Sequence, residues 1–390
     1  MKKTIKNIGT TFSNMDKVLF FSTLILIVFG TLNIVNASSR EAVVNADANM
    51  FHYFFKHMVI LFAGLIAFLI LINIKTKEYK GWMTILYPII VALNAYLVLK
   101  GVSTRGANNW IDLKFLKVQP SEFAKPILII TMGCLFNIFY KRLNNKKEKH
   151  TNEIWTILGI SLIFPILVFL QKDLGTAMIL MGIFFIEFIF SPIKREDKYK
   201  AGFISLIILI ILLLVRFSIT GYILSDAQTS RLNNFLNPCS KYESTGYQVC
   251  NAYIAINNGG LFGLGIGKST QKYSYIPEPH TDMVFAIIAE EYGVLICSAI
   301  FLLYIVILMR ILSLARKTKD RQNKYICLGM GTYIFLHIFI NLGGLFGVIP
   351  LTGVPLPFLS YGGSFTLSLI ASLGVIQRIH IEMKSSKSKK

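Results

Sequence analysis

Hydrophobic residues come in ten long blocks separated by polar segments, and this pattern dominates the chain. The blocks cover residues 18–36, 56–73, 82–99, 122–139, 154–170, 174–190, 201–219, 283–309, 324–345 and 362–380. Each block has about 17 to 27 residues, enough for a helix to cross a hydrocarbon layer of about 30 Å. The pattern therefore predicts an all-α, polytopic membrane protein with about ten transmembrane helices, formed by residues 1–390 as a single integral membrane domain.

The composition agrees with this prediction. The chain is 54% hydrophobic and 15% charged, whereas soluble proteins average about 25% charged residues. With both termini on the inner side, 27 of the 40 Lys and Arg residues fall in the inner segments, as the positive-inside rule requires. The formal charge of +20 and the basic tail 381–390 are thus expected to set orientation and contact anionic membrane lipid. Since the sequence contains no nucleic-acid recognition module, we expect no nucleic acid partner.

Two segments on the predicted outer side are long, residues 100–121 and the large extracellular loop 221–281 between helices 7 and 8. The large loop is rich in aromatic residues, and residues 247–261 predict a short amphipathic helix at the membrane surface. Cys239 and Cys250 both lie in this loop. In an oxidising exterior they can form a disulfide, and two free thiols are the alternative.

The end of the large loop carries three ionisable residues, Glu278, His280 and Asp282, directly before an apolar block. Ionisable groups at the end of a membrane helix are costly to bury and commonly mark a functional site. Asp282 is the candidate base. Capping of the following helix by Thr281 and Asp282 is the structural alternative, and His280 is an alternative base.

Further polar residues gather on the same predicted side. Glu122 follows a helix start at Pro120, and capping of that helix by Ser121 and Glu122 is the structural alternative to a site role. Lys125 lies inside an apolar run, so it needs a carboxylate or an anionic ligand. Glu290 lies two turns after Asp282 on one predicted helical stripe, and Lys125 is a candidate partner for it. Asp173 is explained equally well by a short connector and by a site role. Four cations are expected to form a basin on the outer face: Arg105, Lys117, Lys125 and Arg231.

Several short motifs are distributed along nearly the whole chain. They are Gly106-Ala-Asn-Asn-Trp110, Gln119-Pro-Ser-Glu-Phe-Ala-Lys125, Gln171-Lys-Asp-Leu-Gly-Thr176, Gly246-Tyr-Gln248, Gly259-Gly-Leu-Phe-Gly263, Pro277-Glu-Pro-His-Thr-Asp282, Ala289-Glu-Glu-Tyr-Gly293 and the stretch 350–363. Together they resemble the FtsW/RodA/SpoVE family of bacterial cell-wall proteins, also called SEDS proteins. Lys172 and Met283 are mild departures from the family pattern. The stretch 265–282 is more similar to FtsW and the stretch 351–363 to RodA, with a slight preference for FtsW.

The resemblance implies a peptidoglycan glycosyltransferase of the bacterial cytoplasmic membrane, which polymerises lipid II during cell division or elongation. It also implies an allied class B penicillin-binding protein and further divisome or elongasome proteins. Asp282 matches the loop aspartate that the family requires and would act as general base. Because the leaving group is a pyrophosphate, cations can stabilise its departure, and help from Mg²⁺ or Mn²⁺ is left open.

The substrate-binding candidates are Arg105, Trp110, Lys117, Glu122, Lys125, Asp173, Arg231, Gln248, Glu278 and His280. A different class of function, a lipid II flippase, suits ten helices with internal charges equally well. The two are distinguished by location, since a base belongs at the outer end of the helices and a flippase needs a polar path across. The density of polar motifs at the outer side favours the enzyme. A scaffold that recruits a division synthase is a third interpretation, which leaves that density unexplained.

Overall fold

The computed structural model describes residues 12–44, 49–104, 107–112, 117–143, 151–221, 229, 232, 235, 238–239, 245–273, 276 and 278–388. Its helices are α1 (Lys17–Val44), α2 (His52–Leu71), α3 (Tyr79–Lys100), α4 (Pro120–Leu143), α5 (Thr151–Leu170), α6 (Leu174–Phe190), α7 (Arg195–Thr220), α8 (Thr245–Gly259), α9 (Val284–Lys317), α10 (Arg321–Leu345) and α11 (Gly363–Ser388). Two short 3₁₀ helices cover Thr76–Glu78 and Gln271–Tyr273.

Ten of these helices, all except α8, lie on the ten predicted blocks. Within the described residues, eight helices are both long and apolar enough to cross a membrane, while α6 has only 17 residues. The prediction of an all-α, polytopic membrane protein is therefore confirmed. Helices α4, α10 and α11 have most of their residues buried and form the centre of the bundle, whereas α2 and α3 bury few.

The segment after α3 forms a small sheet that the hydrophobic blocks do not predict. Strands β1 (Val102–Thr104), β2 (Ala107–Asp112) and β3 (Lys117–Val118) pair antiparallel in the order β1-β2-β3. The sheet is tied to the connector between α5 and α6, because the N–H of Asn108 donates to the carbonyl of Gln171 at 2.9 Å. A polar segment between two spanning helices thus has fixed structure.

The end of the bundle that carries segment 221–283 is called the loop face here, and the opposite end, where α11 finishes, the tail face. In the loop-face segment Cys239 and Cys250 are joined by a disulfide, with their Cα atoms 5.1 Å apart. Cys134, Cys297 and Cys327 are free and buried in helices. Helix α8 coincides with the surface helix expected from residues 247–261, although it begins two residues earlier and ends two residues earlier.

Helix α9 is broken at Gly293, whose φ of 76° and ψ of 179° are not helical. A side chain there would collide with the backbone, because an added Cβ would lie 2.4 Å from the backbone nitrogen of Gly263. Only glycine adopts this conformation readily. The break divides α9 into a first part, 284–292, and a second part, 294–317.

Candidate active site

Asp282 lies at the loop face, directly before α9. A tight turn precedes it, in which the carbonyl of Glu278 accepts hydrogen bonds from the N–H and the hydroxyl of Thr281, at 3.0 and 2.8 Å. Glu278 has a φ of 43°, a left-handed conformation that is uncommon outside glycine. Asp282 itself is only 5% exposed. The helix begins at Val284, and its N-cap position is the apolar Met283, one residue after Asp282.

Helix α10 and segment 351–357 hold Asp282 in place. The side-chain amide of Asn341 donates to the carbonyl of Asp282 at 2.8 Å and to the carbonyl of Val354 at 2.7 Å. Gly353 faces the carboxylate: an added Cβ would lie 3.6 Å from Oδ2 of Asp282, and the φ of 76° disfavours any other residue. The carboxylate is thus next to backbone that carries no side chain.

Lys125 is fully buried on α4, about one helical turn after Glu122. Its ammonium donates to Oε1 of Glu122 at 2.7 Å and lies 3.1 Å from Nε2 of His337. Since an ammonium only donates, Nε2 must accept, which leaves Nδ1 protonated to donate to the carbonyl of Pro355 at 3.2 Å. The network therefore selects a neutral histidine with its proton on Nδ1.

The two groups of residues share one face of α10. His337 and Asn341 are four residues apart, so their side chains lie one above the other. His337 contacts Lys125, and Asn341 contacts Asp282. The structure thus brings the predicted Glu122, Lys125 and Asp282 to one site. His337 and Asn341 were not predicted, although a His and an Asn at this spacing within an apolar block are a usable signal.

Glu290 and Glu291 do not pair with Lys125, and this part of the prediction is wrong. The side chain of Glu290 accepts hydrogen bonds from segment 269–271: from the hydroxyl of Ser269, from the N–H and hydroxyl of Thr270 at 3.2 and 2.9 Å, and from the N–H of Gln271 at 3.3 Å. Glu291 accepts from Ser269, Lys272 and Asn36. Sequence spacing could not reveal these partners, because their position depends on how the loop folds back.

Asp173 connects the sheet to the bundle. It is the N-cap of α6, where Oδ1 accepts from the N–H of Thr176 at 3.1 Å. Its Oδ2 accepts from the side-chain amides of Asn109 at 2.6 Å and Gln119 at 3.0 Å. These contacts are those of a structural connector. Gly175, in the same turn, packs against Thr352 and Val354, so this connector supports segment 351–357.

His280 points to a different part of the loop face. Its ring lies 4.4 Å from the ring of Tyr53 and 5.4 Å from that of Tyr361, measured between centroids. Its Nδ1 is 3.5 Å from Oε2 of Glu41. Burial raises the pKa of Tyr361 to about 12, so its hydroxyl stays protonated at neutral pH. Glu41 was not predicted, because the first hydrophobic block ends at residue 36 whereas α1 continues to Val44.

The remaining candidates are spread over the loop face. Trp110 is half-buried on β2, Lys117 is exposed on β3, and Gln248 is half-buried on α8. Arg105 and Arg231 lie outside the described residues. Because Lys125 is fully buried, it is not part of an open cationic basin on the outer face. In the part of the chain that the structure describes, no cluster of three or more His, Cys, Asp or Glu residues could hold a metal ion.

Helices that span a membrane, with a connected set of ionisable and amide side chains at one end, define a multi-pass membrane protein with a site near the membrane surface. The chain belongs to the FtsW/RodA/SpoVE family of cell cycle proteins, whose model matches residues 16–385. The family resemblance carried by the sequence motifs is thereby confirmed.

Relatives of more than one kind match over nearly full length. The probable peptidoglycan glycosyltransferase FtsW of Bacillus subtilis (strain 168) is 32% identical, covering 96% of this chain and 93% of its own. The peptidoglycan glycosyltransferase MrdB of Escherichia coli (strain K12) is 30% identical, covering 95% of each chain. The solved structure described as "Structural coordination of polymerization and crosslinking by a peptidoglycan synthase complex" has a TM-score of 0.70 at 24% identity, covering 94% of this chain and 97% of that one. The near-equal identities give the slight preference for FtsW no support.

Proposed function

We propose that this chain is a peptidoglycan glycosyltransferase that joins the sugars of lipid II into glycan strands, with Asp282 as general base. The family and the names of its relatives support the reaction class. The observation that carries the assignment of the base is the position of Asp282. Its carboxylate lies at the loop face beside Gly353, and its backbone is fixed by Asn341 to segment 351–357.

The chemistry requires one base and a stabilised leaving group. The acceptor sugar hydroxyl must lose a proton as it attacks the anomeric carbon of the donor, and a positioned carboxylate accepts that proton. The bond from the anomeric carbon to the pyrophosphate oxygen breaks, and the electron pair leaves with the pyrophosphate. A single carboxylate base with inversion fits this reaction, whereas a retaining glycosidase needs two carboxyl groups about 5 Å apart.

The pair of Lys125 and Glu122 contacts His337, one turn of α10 from Asn341, which holds the base. Oε2 of Glu122 is buried and accepts no hydrogen bond from the described residues, and buried polar atoms of this kind call for an explanation. We assign the pair to holding polar groups of the substrate near Asp282. Lys117, Arg105 and Arg231 are the cations proposed for the pyrophosphate, with Trp110, Asp173, Gln248, Glu278 and His280 as further substrate-binding candidates. We assign no residue to Mg²⁺ or Mn²⁺.

We also propose an orientation of the chain in the membrane and a set of partner proteins. The loop face is assigned to the outer side of the bacterial cytoplasmic membrane and both termini to the cytoplasm, because the basic segments lie at the tail face. A class B penicillin-binding protein is the proposed partner for crosslinking, together with other divisome or elongasome proteins. The structural relative described as a complex that coordinates polymerization and crosslinking supports this choice.

The test is polymerisation of purified lipid II by the protein in liposomes, with and without the candidate partner, analysed by gel electrophoresis. We expect long glycan strands from the wild type and from Asp112→Asn, which changes an exposed carboxylate on β2. Asp282→Asn should reduce strand formation by about 10²- to 10⁴-fold, the usual contribution of a general base. Wild-type turnover by Asp282→Asn would remove Asp282 from the mechanism.

One observation favours the second candidate function, lipid II transport. Glu187 of α6 is fully buried, and neither of its carboxyl oxygens has a hydrogen-bond partner among the described residues. Ionisable groups inside a membrane often mark a translocation path. Appearance of lipid II on the far leaflet without any strands, and loss of this movement in Glu187→Gln, would establish the flippase and overturn the polymerase.

A further inference from the structure

The break in α9 is closed by a different part of the chain, segment 260–265 of the large loop. Four backbone hydrogen bonds join them: the N–H groups of Leu264 and Gly265 donate to the carbonyls of Glu290 and Glu291 at 2.9 and 3.0 Å, and those of Val294 and Leu295 donate to Gly260 and Leu261 at 3.0 and 3.3 Å. Unpaired backbone groups are costly near a membrane. The loop thus replaces the bonds that the helix loses at Gly293.

The side chains of this loop segment are apolar and point outward. Phe262 is 80% exposed and Ile266 is 71% exposed, and Leu261 and Leu264 are exposed as well. Four large apolar side chains so close together are unusual on a surface that only water touches. Lys268, directly after them, is also exposed.

The burial pattern along α9 changes at the break. Residues 284–291 are all buried within the protein, whereas exposed apolar side chains begin at Val294 and recur along the second part, for example at Leu302. The second part, 294–317, is about 36 Å long at 1.5 Å per residue. It therefore crosses a hydrocarbon layer of about 30 Å without the first part. The hydrocarbon boundary on the loop face falls close to Gly293.

We propose that segment 261–266 is inserted into the bilayer leaflet on the loop face, with Phe262 and Ile266 among the lipid acyl chains. Leu261 and the preceding Gly260 accept hydrogen bonds from Leu295 and Val294, the first lipid-facing residues of α9, so the apolar surface of the segment continues the surface that the membrane already covers. Lys268 is placed to reach lipid phosphates from the edge of this patch.

The inserted segment leads directly into residues 269–272, which bind the first part of α9. Three residues after Ile266, Ser269 begins the stretch that binds Glu290 and Glu291. Insertion therefore fixes the depth of the loop face relative to the lipid surface. This inference depends on membrane insertion of the protein and is independent of the proposed transferase reaction.

The test is spin-label accessibility in the full chain reconstituted into phosphatidylcholine and phosphatidylglycerol liposomes. A nitroxide on Phe262→Cys is compared with one on Leu302→Cys, which faces lipid, and one on Asn257→Cys, an exposed polar position of α8. We expect positions 262 and 302 to collide at least about threefold more often with oxygen, which concentrates in lipid, than with a water-soluble nickel chelate. Position 257 should show the opposite preference.

Ile266→Cys provides a second label site in case Phe262→Cys assembles poorly. Nickel accessibility at positions 262 and 266 equal to that at position 257 would overturn the proposal and place the segment in water. Protection from both reagents would also overturn it, because the segment would then be covered by protein, for example a second copy of the chain.

Discussion

Lys125 and Lys272 are both buried lysines paired with a glutamate, yet their surroundings differ. The ammonium of Lys272 has three oxygen acceptors: Glu291 at 2.9 Å, Asn36 at 2.6 Å and the carbonyl of Gly267 at 2.9 Å. All three of its protons are therefore used. The ammonium of Lys125 has Glu122 and the imidazole of His337 as its partners among the described residues, and the rings of Tyr333 and Phe365 lie 5.8 Å away.

The glutamates repeat this difference. Both oxygens of Glu291 accept hydrogen bonds, whereas Oε2 of Glu122 accepts none from the described residues. A fully bonded ion pair stabilises one arrangement of the chain and has no capacity left for a ligand. A pair with unused donors and acceptors costs stability but can bind polar groups of a substrate. Lys272 and Glu291 therefore form a structural pair, whereas Lys125 and Glu122 form a candidate functional one.

The largest effect on stability is expected from Lys272→Met. Removing the ammonium leaves Glu291 buried without its charge partner, which typically costs about 3–5 kcal/mol. The free energy of unfolding, measured by circular dichroism during titration with denaturing detergent, should fall by that amount. Lys268→Met, an exposed lysine four residues earlier, is the control and should leave it unchanged. A loss below about 1 kcal/mol for Lys272→Met would contradict the structural role.

Neutralising both partners of each pair separates the two roles most clearly. Lys272→Met with Glu291→Gln should recover much of the lost stability and keep strand formation within about threefold of wild type. Lys125→Met with Glu122→Gln should also fold, but strand formation should fall by about 100-fold, as when a group that stabilises developing charge is removed. Equal strand formation by the two double variants would show that the pairs do not differ in function.

A smaller effect is expected from Asn341→Ala, which removes the amide that donates one hydrogen bond to Asp282 and one to Val354. Each unsatisfied buried carbonyl costs about 1–3 kcal/mol, and the displaced carboxylate should slow strand formation about tenfold. Asn73→Ala serves as the control, because it removes an exposed amide that donates to the carbonyl of Leu69, near the end of α2. Strand formation at the wild-type rate by Asn341→Ala would mean that Asp282 does not depend on this support.

The smallest effect is expected from Ser269→Ala in the structural cluster. Glu290 loses the hydroxyl of Ser269 but keeps its three bonds from Thr270 and Gln271. The free energy of unfolding should fall by about 1 kcal/mol, with strand formation within twofold. Strand formation that falls by more than tenfold while the protein stays folded would place this cluster in the active site and remove the distinction between the two regions.

Most of the fold could be predicted from the sequence, because an apolar block long enough to cross the hydrocarbon layer forms a spanning helix whatever its neighbours are. The site could be predicted only in part. Asp282 and Lys125 became candidates through their cost beside or inside apolar runs, and Glu122 through its place at a predicted helix start. The sheet 102–118 and the extension of α1 to Glu41 were missed, since polar segments at a membrane surface carry no comparable length rule.

The sequence by itself determined which segments cross the membrane and which residue types needed partners. Only the tertiary structure decided which residues became the partners of these buried charges. Glu290 and Glu291 bind segment 269–272 because the large loop folds back to the break at Gly293, while Lys125 is left with Glu122 and His337. Hydrophobic blocks act locally, but the pairing of buried charges depends on contacts between residues far apart in the chain, and spacing along one helix does not encode them.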